Sequence, residues 1–489
     1  MASRRSYKTD TSFLEKISIG AIGTRHVFED LRRQGHTPIE LERGSMSFKL
    51  WKTIKIKRIR VPDILCLDCN CRVESRAKTK LEISMSHSFA DPNRGWDYGL
   101  QDNDFIALVV CRRVGNSPVD WQADELIQYI SVKELRTAQN LDLTLNVEPK
   151  GAQEGFEARV IWPASIASAT GTVKKIAGNR LQYYRQIDNR TISLSLSKRS
   201  LPLTPLVQEG DKIVANQILA SVVPVAQTIT SSKVAPEKDY IDQLSSFSLS
   251  ERYAASKALS YFDFTETSEI LARKITEAKE HIYVRLEAAA SLARHDDQRG
   301  LAFIEECLAD PYLENRLEAV IVLGEVGTQQ AGKILMDILC NDQQHPEIRA
   351  GAAWALGELR DKLALEALIT SFVTVEEEIR IEAARALAKL ATTFTPEIVA
   401  EFPKHEPAIR PGIAWALSKS ARFTVDQLLQ AIVDDDARRW VAYIIGTQAQ
   451  QNYVNHIEAL KQEDPELYFA VTVLWQIMSS WVYDLEEYG

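Results

Sequence analysis

From residue 252 onward, apolar and polar positions repeat with two nested periods. The shorter is helical: Ala and Leu recur at i, i+3, i+4 and i+7, the stripe of a helix buried on one side. The longer is marked by an Arg, most often a small residue three positions later, and an apolar residue at seven. It reads RYAASKAL at Arg252, RLEAAASL at Arg285, RLEAVIVL at Arg316, RAGAAWAL at Arg349, RIEAARAL at Arg380, RPGIAWAL at Arg410 and a degenerate RWVAYIIG at Arg439. The intervals are 33, 31, 33, 31, 30 and 29 residues. Second amphipathic stretches lie between these helices, such as 333–339 and 364–372, joined by short polar segments. One helix pair cannot bury its own apolar face, so about seven units must stack into a continuous core. Ala288, Ala319, Ala352 and Ala383 are expected where neighbouring helices approach closely. The recurring Arg is expected to bond backbone or a carboxylate of an adjacent unit. The segment from Tyr468 to the acidic end reads as a capping helix.

These units resemble the short HEAT-like repeats first associated with phycobilisome lyases. The resemblance covers roughly residues 245–450 and implies an α-solenoid, a curved surface suited to a protein partner. It does not imply bilin chemistry, because a fold does not carry a function. An accessory role on a pigment-bearing protein would rest on the repeat type alone.

Upstream the pattern changes. Residues 155–225 are rich in strand formers and turn residues, and PLVQEGDKIVANQILASVVPV (205–225) is similar to half of a barrel-sandwich hybrid, the fold of biotinyl and lipoyl domains. Glu209-Gly210-Asp211 supplies a turn between two strands, and GTVKKI at 171–176 matches the opening strand. A carrier domain would need a lysine at its central hairpin. The corresponding stretch, RQIDNRTISLSLS (185–197), has none, so neither biotin nor lipoate is expected. Residues 227–240 are polar and read as a linker.

The first 80 residues carry 18 Lys+Arg against 9 Asp+Glu, while the remainder carries 40 against 58. The overall charge of −9 therefore hides a basic module on an acidic body, which favours an anionic partner, nucleic acid first. The alternative is a basic segment docked on its own acidic solenoid. Residues 11–35 predict a helix with Phe13, Leu14, Ile17, Ile22, Val27, Phe28 and Leu31 on one face. Two strand-like runs follow, turning around Asp68–Asn70. Pro62-Asp63, ten residues, then Glu74-Ser75-Arg76 and Lys78 resemble the PD-(D/E)xK nuclease superfamily, the restriction-endonuclease-like fold. Two acids on adjacent strands can converge on one divalent ion, and a cation two residues along shares their face. By that resemblance Asp63 and Glu74 would bind Mg²⁺, and Arg76 or Lys78 would be the catalytic cation. The chain departs from the family in Arg76, where lysine is usual and arginine cannot act as a base. It departs again at Thr24, where many members have a glutamate; Glu29 lies one turn later.

Other readings of this region stay open. Asp63 and Glu74 could be hairpin charges paired with Arg72, Arg76 and Lys78. Cys66-x-x-Cys69 with Cys71 has the spacing of a zinc half-site, which His87 could complete only with a fourth ligand that the sequence does not name. In KLWKTIKIKRIR, Lys49, Lys52, Lys55, Lys57, Arg58 and Arg60 could follow a phosphate backbone or guard an edge strand. Arg94, Trp96 and Tyr98 are expected to pack a loop onto the sheet rather than meet a ligand.

Hydrophobic residues make up 45% and charged residues 26%, as in ordinary soluble proteins. No run approaches the ~20 apolar residues of a membrane span. The first residues lack the apolar core of a signal peptide, and six cysteines are too few for a disulfide framework, so a reducing cytoplasmic setting is expected. The expected organisation is multidomain: a basic α/β nuclease-like domain at 1–150, a small all-β barrel-sandwich module at 151–226, a linker at 227–244 and an all-α HEAT-like solenoid at 245–489. The expected function is nucleic-acid binding, extending to Mg²⁺-dependent DNA cleavage, with a protein partner on the solenoid and no membrane contact. The competing expectation is a non-catalytic HEAT scaffold on a degenerate nuclease fold.

Overall fold

The computed structural model describes residues 10–43, 59–115, 120–148, 157–230, 237–419, 423–448 and 454–486. Contacts divide the chain into two units, an amino-terminal one that runs to Phe262 and a carboxy-terminal one from Asp263. Within the described residues the first is rich in sheet and the second is all helix.

The amino-terminal unit opens with helix α1 (Asp10–Arg33), which ends at Gly35 in the left-handed region, φ +87°. The main sheet has the order β1 (Pro38–Glu40), β2 (Ile64–Cys66), β3 (Arg72–Lys78), β5 (Phe105–Arg113) and β6 (Trp121–Ser131). β1, β2 and β3 form an antiparallel run, β3 and β5 are parallel, and β5 and β6 are antiparallel. Alternation along β5 splits its side chains between two cores. Ala107, Val109 and Cys111 meet Val27 and Leu31 of α1. Ile106, Leu108 and Val110 meet Trp96, Leu100 and Trp162 on the other face. Gly23 lets α1 cross β3 closely, since a Cβ there would lie 2.4 Å from Ala77 Cβ.

The second core also takes Val132 and Leu135 of α2 (Val132–Asn140) and the small strand β4 (Ser84–His87), which pairs with β8 (Ala158–Ile161) next to β7 (Leu145–Val147). Of the loop residues expected to pack, Trp96 does so: it is buried, donates from Nε1 to Gln139 Oε1 at 2.5 Å and sits edge-on to Trp162 at 5.0 Å, whereas Tyr98 is exposed. Arg94 pairs with Asp91.

The β module follows. β10 (Gly171–Ala177), β11 (Arg180–Arg185) and β12 (Arg190–Ser195) form an antiparallel meander, and Lys212–Ile213 joins its edge at Thr172 and Gly171. GTVKKI thus lies beside the Glu209–Asp211 turn, where Gly210 has φ +95° and Asp211 accepts from Gln208 N. Strand β9 (Ala164–Ile166) pairs with Ile218–Ser221, and Ala164 and Ile218 enter the same core as Trp162, so the module shares its interior with the α/β part.

The segment read as a linker contains α3 (Glu237–Gln243). Its buried Tyr240 donates to the carbonyls of Cys66 and Leu67 at 3.3 and 3.0 Å. Helix α4 (Leu249–Ala258), with the first repeat arginine, Arg252, also belongs to the amino-terminal unit. The sequence pattern marks a helix type and not a unit boundary.

In the carboxy-terminal unit, α6 (Ile282–Arg294), α8 (Leu313–Val326), α10 (Pro346–Leu359) and the long α12 (Glu377–Glu401) pack successively side by side. The series continues through α13 (Arg410–Ser418) and α15 (Asp435–Gln448) to α17 (Pro465–Glu486), the expected cap. A second layer is formed by α5 (Phe264–Thr276), α7 (Gln298–Leu308), α9 (Gln329–Cys340), α11 (Leu365–Thr370), α14 (Val425–Leu429) and α16 (Val454–Glu463). Ala288, Ala319, Ala352 and Ala383 are fully buried in α6, α8, α10 and α12. α12 kinks at Phe394, two residues before Pro396, where the proline ring and missing N–H interrupt the ladder.

The repeat arginines tie each first-layer helix to the end of the helix before it. Arg285 Nε donates to Ile275 O at 2.8 Å and Arg349 Nε to Leu339 O at 2.9 Å. Arg316 bonds Asp310 O, and Arg380 bonds Thr374 O at 2.9 Å. Ile275 O and Leu339 O belong to the last turns of α5 and α9, where carbonyls are otherwise left open. Arg410 instead grips Asp434 of the next unit at 2.7 Å.

Candidate metal and nucleic-acid site

The β2–β3 hairpin carries two clusters, one at each end. Its register pairs Ile64 with Val73 and Leu65 with Arg72, which continued by one step sets Asp63 opposite Glu74. Asp63 is buried just before β2 and accepts Ser75 N at 2.8 Å on β3. The backbone of Leu41 and Glu42 donates to Asp63 O at 2.7 and 3.3 Å, bringing a third carboxylate near. Burial, then the charges of Glu74 and Glu42, push Asp63 well above the usual carboxylate range. Glu74 is raised too, chiefly by burial, although Arg76 acts against the shift. Desolvated carboxylates raised by neighbouring acids mark a place where a cation would be stabilised.

Arg76 pairs with Glu74 at 3.1 Å. Arg60, of the proposed nucleic-acid row, donates to Gly95 O at 2.8 Å and lies within the influence of Arg76, Glu74 and Arg94. The rest of that row, Lys49, Lys52, Lys55, Lys57 and Arg58, lies outside the described residues. Lys78 is directed elsewhere. Its ammonium donates to Glu82 O and Ser84 O at 2.8 Å and to Ser84 Oγ at 3.0 Å, so all three donors are used. Burial pushes it down to about 8. Glu29, the substitute considered on α1, is exposed. The structure thus gathers Asp63, Glu74 and Arg76, adds Glu42 and Arg60, and leaves Lys78 to hold the following turn.

The closed end of the hairpin holds sulfur. Cys66 ends β2, Cys71 precedes β3, and Cys69 lies in the turn between them, where Asn70 has φ +55°. All three are buried. Cys69 Sγ donates to Cys71 Sγ at 3.1 Å. His36, just past α1, turns Nδ1 toward Cys66 Sγ at 3.3 Å and Cys69 Sγ at 3.8 Å. Its Nε2 faces Ile229 O at 3.0 Å. His87, the histidine weighed from sequence, is not in this group: its Nδ1 accepts Trp96 N at 3.2 Å, and its ring meets Phe89 at 4.6 Å. Sequence spacing could not reveal His36, which lies 30 residues before Cys66 and arrives because β1 sets Pro38 beside Cys66.

The carboxy-terminal unit offers a different surface. A cavity of about 850 Å³ is lined by Phe372, Val375, Ile381, Pro411 and Trp415 with Arg380 and Glu377. Val375 is 85% exposed and Ile381 41%, an apolar concavity with a charged edge. No described helix is long and apolar enough to cross a membrane.

Comparison with curated proteins gives no match. Among solved structures, human deoxyhypusine hydroxylase in complex with glycerol is 17% identical, over 44% of this chain and 96% of that one, with a TM-score of 0.21. The complex of CpcE and CpcF of phycocyanin lyase from Nostoc sp. is 17% identical, over 50% of this chain and 96% of that one, with a TM-score of 0.25. An archaeal HEAT-like repeats protein from Thermococcus onnurineus is 15% identical, over 44% and 97%, with a TM-score of 0.22. A family model described as HEAT repeats matches residues 306–388, and the carboxy-terminal unit is an array of HEAT-like repeats.

Proposed function

We propose that the amino-terminal unit binds nucleic acid and cleaves it with Mg²⁺ held by Asp63 and Glu74, while the HEAT-like unit docks a protein partner. The observation that carries this reading is the opposition of buried Asp63 and half-buried Glu74, with Glu42 close by, in which Glu74 and Glu42 raise Asp63 and Glu42 raises Glu74. Hard oxygen donors of this kind suit Mg²⁺ better than a softer ion. When bound, such an ion neutralises charge on a phosphate and activates water.

The side chains divide the remaining work. Asp63 is fixed by Ser75 N, so its second oxygen is the one free to bind. Arg76 pairs with Glu74 and its charge acts on Arg60, so the two guanidiniums could together offer N–H donors to a phosphate. Arg76 would stabilise charge in the transition state and could not remove a proton. Lys78, with every donor engaged, takes no part in this reading beyond holding β3 to the Glu82–Ser84 turn.

That same engagement favours a second reading. With Arg76 paired to Glu74 and Lys78 bonded away, the unit could bind without cutting, as a scaffold that keeps the fold. The two separate in one assay: plasmid, single-stranded DNA and RNA incubated with the full chain and Mg²⁺ or Mn²⁺, beside Asp63→Asn. Cleavage lost in the variant with binding retained supports the enzyme. Salt-sensitive binding without cleavage sinks it and leaves the scaffold.

A further inference from the structure

We infer that His36, Cys66, Cys69 and Cys71 form a mononuclear Zn²⁺ site that pins the closed end of the β2–β3 hairpin. Three thiols and one imidazole converge there: Cys69 Sγ lies 3.1 Å from Cys71 Sγ, and His36 Nδ1 lies 3.3 and 3.8 Å from Cys66 and Cys69 Sγ. The ligand atoms of His36, Cys66 and Cys69 all fall within 4.8 Å of one another, and Cys71 Sγ, outside that group, joins it through Cys69. Around a tetrahedral zinc, with Zn–S about 2.3 Å and Zn–N about 2.0 Å, ligand atoms stand roughly 3.5–3.8 Å apart. To complete that geometry the Cys71 thiol has to turn from Cys69 toward the ion shared with His36 and Cys66. Four ligands match one tetrahedral ion.

The surroundings are those of a ligand histidine. Ile229 O fixes the Nε2 proton of His36 and so keeps the Nδ1 lone pair directed at the sulfurs. The sulfurs sit in a turn that is itself ordered: Cys66 N donates to Cys71 O and Asn70 N to Cys66 O, both at 2.9 Å. Tyr240 occupies the carbonyls of Cys66 and Leu67 from outside. Three thiols and an imidazole form a complete four-ligand set of the kind structural zinc takes. A bare cluster of hydrogen-bonded thiols would supply neither the fixed tautomer nor the fourth donor.

A zinc here would join the end of α1, the β2–β3 turn and the start of β3, while Asp63 and Glu74 occupy the other end of the same hairpin. The site does not depend on the nuclease reading. Soft sulfur donors choose zinc, whereas the carboxylates choose Mg²⁺.

The full-length protein, purified under reducing conditions without chelator or added metal, is analysed for bound metals by plasma mass spectrometry. One zinc per chain is expected, falling to near none in Cys69→Ser and in Cys71→Ser and unchanged in Cys340→Ser, an exposed cysteine outside the group. Because the serine variants could fail to fold, Co²⁺ replaces zinc in the wild type as a second readout. Sulfur-to-cobalt charge-transfer bands with intense tetrahedral ligand-field absorption are expected. The proposal is overturned by wild-type protein that carries no zinc and takes none up, whether its thiols are free or Cys69 and Cys71 are joined as a disulfide. It is equally overturned if folded Cys69→Ser and Cys71→Ser keep their zinc. Loss of nuclease activity is not used as a readout, so failure of one proposal leaves the other standing.

Discussion

Arg72 grips Asp104 through two parallel hydrogen bonds, Nε to Oδ1 at 3.0 Å and Nη2 to Oδ2 at 2.6 Å, with both side chains almost wholly buried. The same guanidinium reaches Ser250 Oγ in α4 at 2.7 Å and Gly99 O at 3.3 Å, and Asp104 takes Gln101 N at 2.6 Å. The pair therefore joins the start of β3, the loop before β5 and the helix after the β module. Removing one partner leaves an uncompensated buried charge. Asp104→Ala is expected to cost about 3–5 kcal/mol, measured by urea unfolding, whereas an apolar replacement of both residues should cost much less.

Asp63 and Glu74 predict a pH dependence with a definite sign. The folded state raises both carboxyls above their ordinary values, so it prefers the protonated acid. Their contribution to stability is full below the ordinary carboxyl range and is lost as pH rises through the raised values. Asp63→Asn keeps an acceptor for Ser75 N and removes the charge, so it should melt higher than wild type at neutral pH. Mg²⁺ should raise the wild-type melting temperature, by the equivalent of about 2.7 kcal/mol at a hundredfold excess over Kd, and leave Asp63→Asn unmoved. Equal Mg²⁺ responses in the two proteins would remove the case for a cation at this pair.

How much of this was legible depended on whether the signal was local. The arginine-led repeats could be read because each helix pair reports its own burial within about 31 residues. The Asp63–Glu74 opposition was also legible, since a hairpin register is fixed by a short turn and the side-chain period of two. Cys66, Cys69 and Cys71 announced their part of the proposed zinc site for the same reason. His36 did not, because it joins them only through the pairing of Pro38 with Cys66, and sequence spacing offered His87 instead. Lys78 misled in the opposite way. It lies on the face of Glu74, as alternation requires, yet its long side chain runs on to Ser84. The assignment of α4 to the first unit was equally hidden, because its contacts, such as Ser250 with Arg72, are with residues far away in sequence, 178 positions in that case.

The solenoid predicts a sharp contrast between glycines. A Cβ on Gly357 in α10 would lie 2.7 Å from Ala386 Cα and 2.8 Å from Ala386 Cβ in α12, where backbone cannot give way. Gly357→Val should overpack that joint and cost about 1–3 kcal/mol. Gly20 in α1 has nothing within 4 Å of its would-be Cβ. Gly20→Ala should stabilise by up to about 1 kcal/mol through helix propensity alone. Thermal melts of the two variants beside wild type check both signs.

Lys78 supplies the last test, because structural and catalytic roles make it move differently. Its donors satisfy Glu82 O and Ser84 O, and burial depresses its ammonium from 10.5 to about 8. A base depressed by folding contributes stability that is present above its ordinary value and lost as pH falls through its folded value. Wild type should therefore gain stability between about pH 8 and about pH 10, and Lys78→Met should lack that rise. At neutral pH the variant should lose about 1–3 kcal/mol, since two buried carbonyls are left without a donor. If cleavage is observed in wild type, a folded Lys78→Met should retain most of it while Arg76→Ala does not. A Lys78→Met protein of unchanged stability and abolished cleavage would instead put the amine among the reacting groups, and would require its bonds to Glu82 and Ser84 to break during turnover.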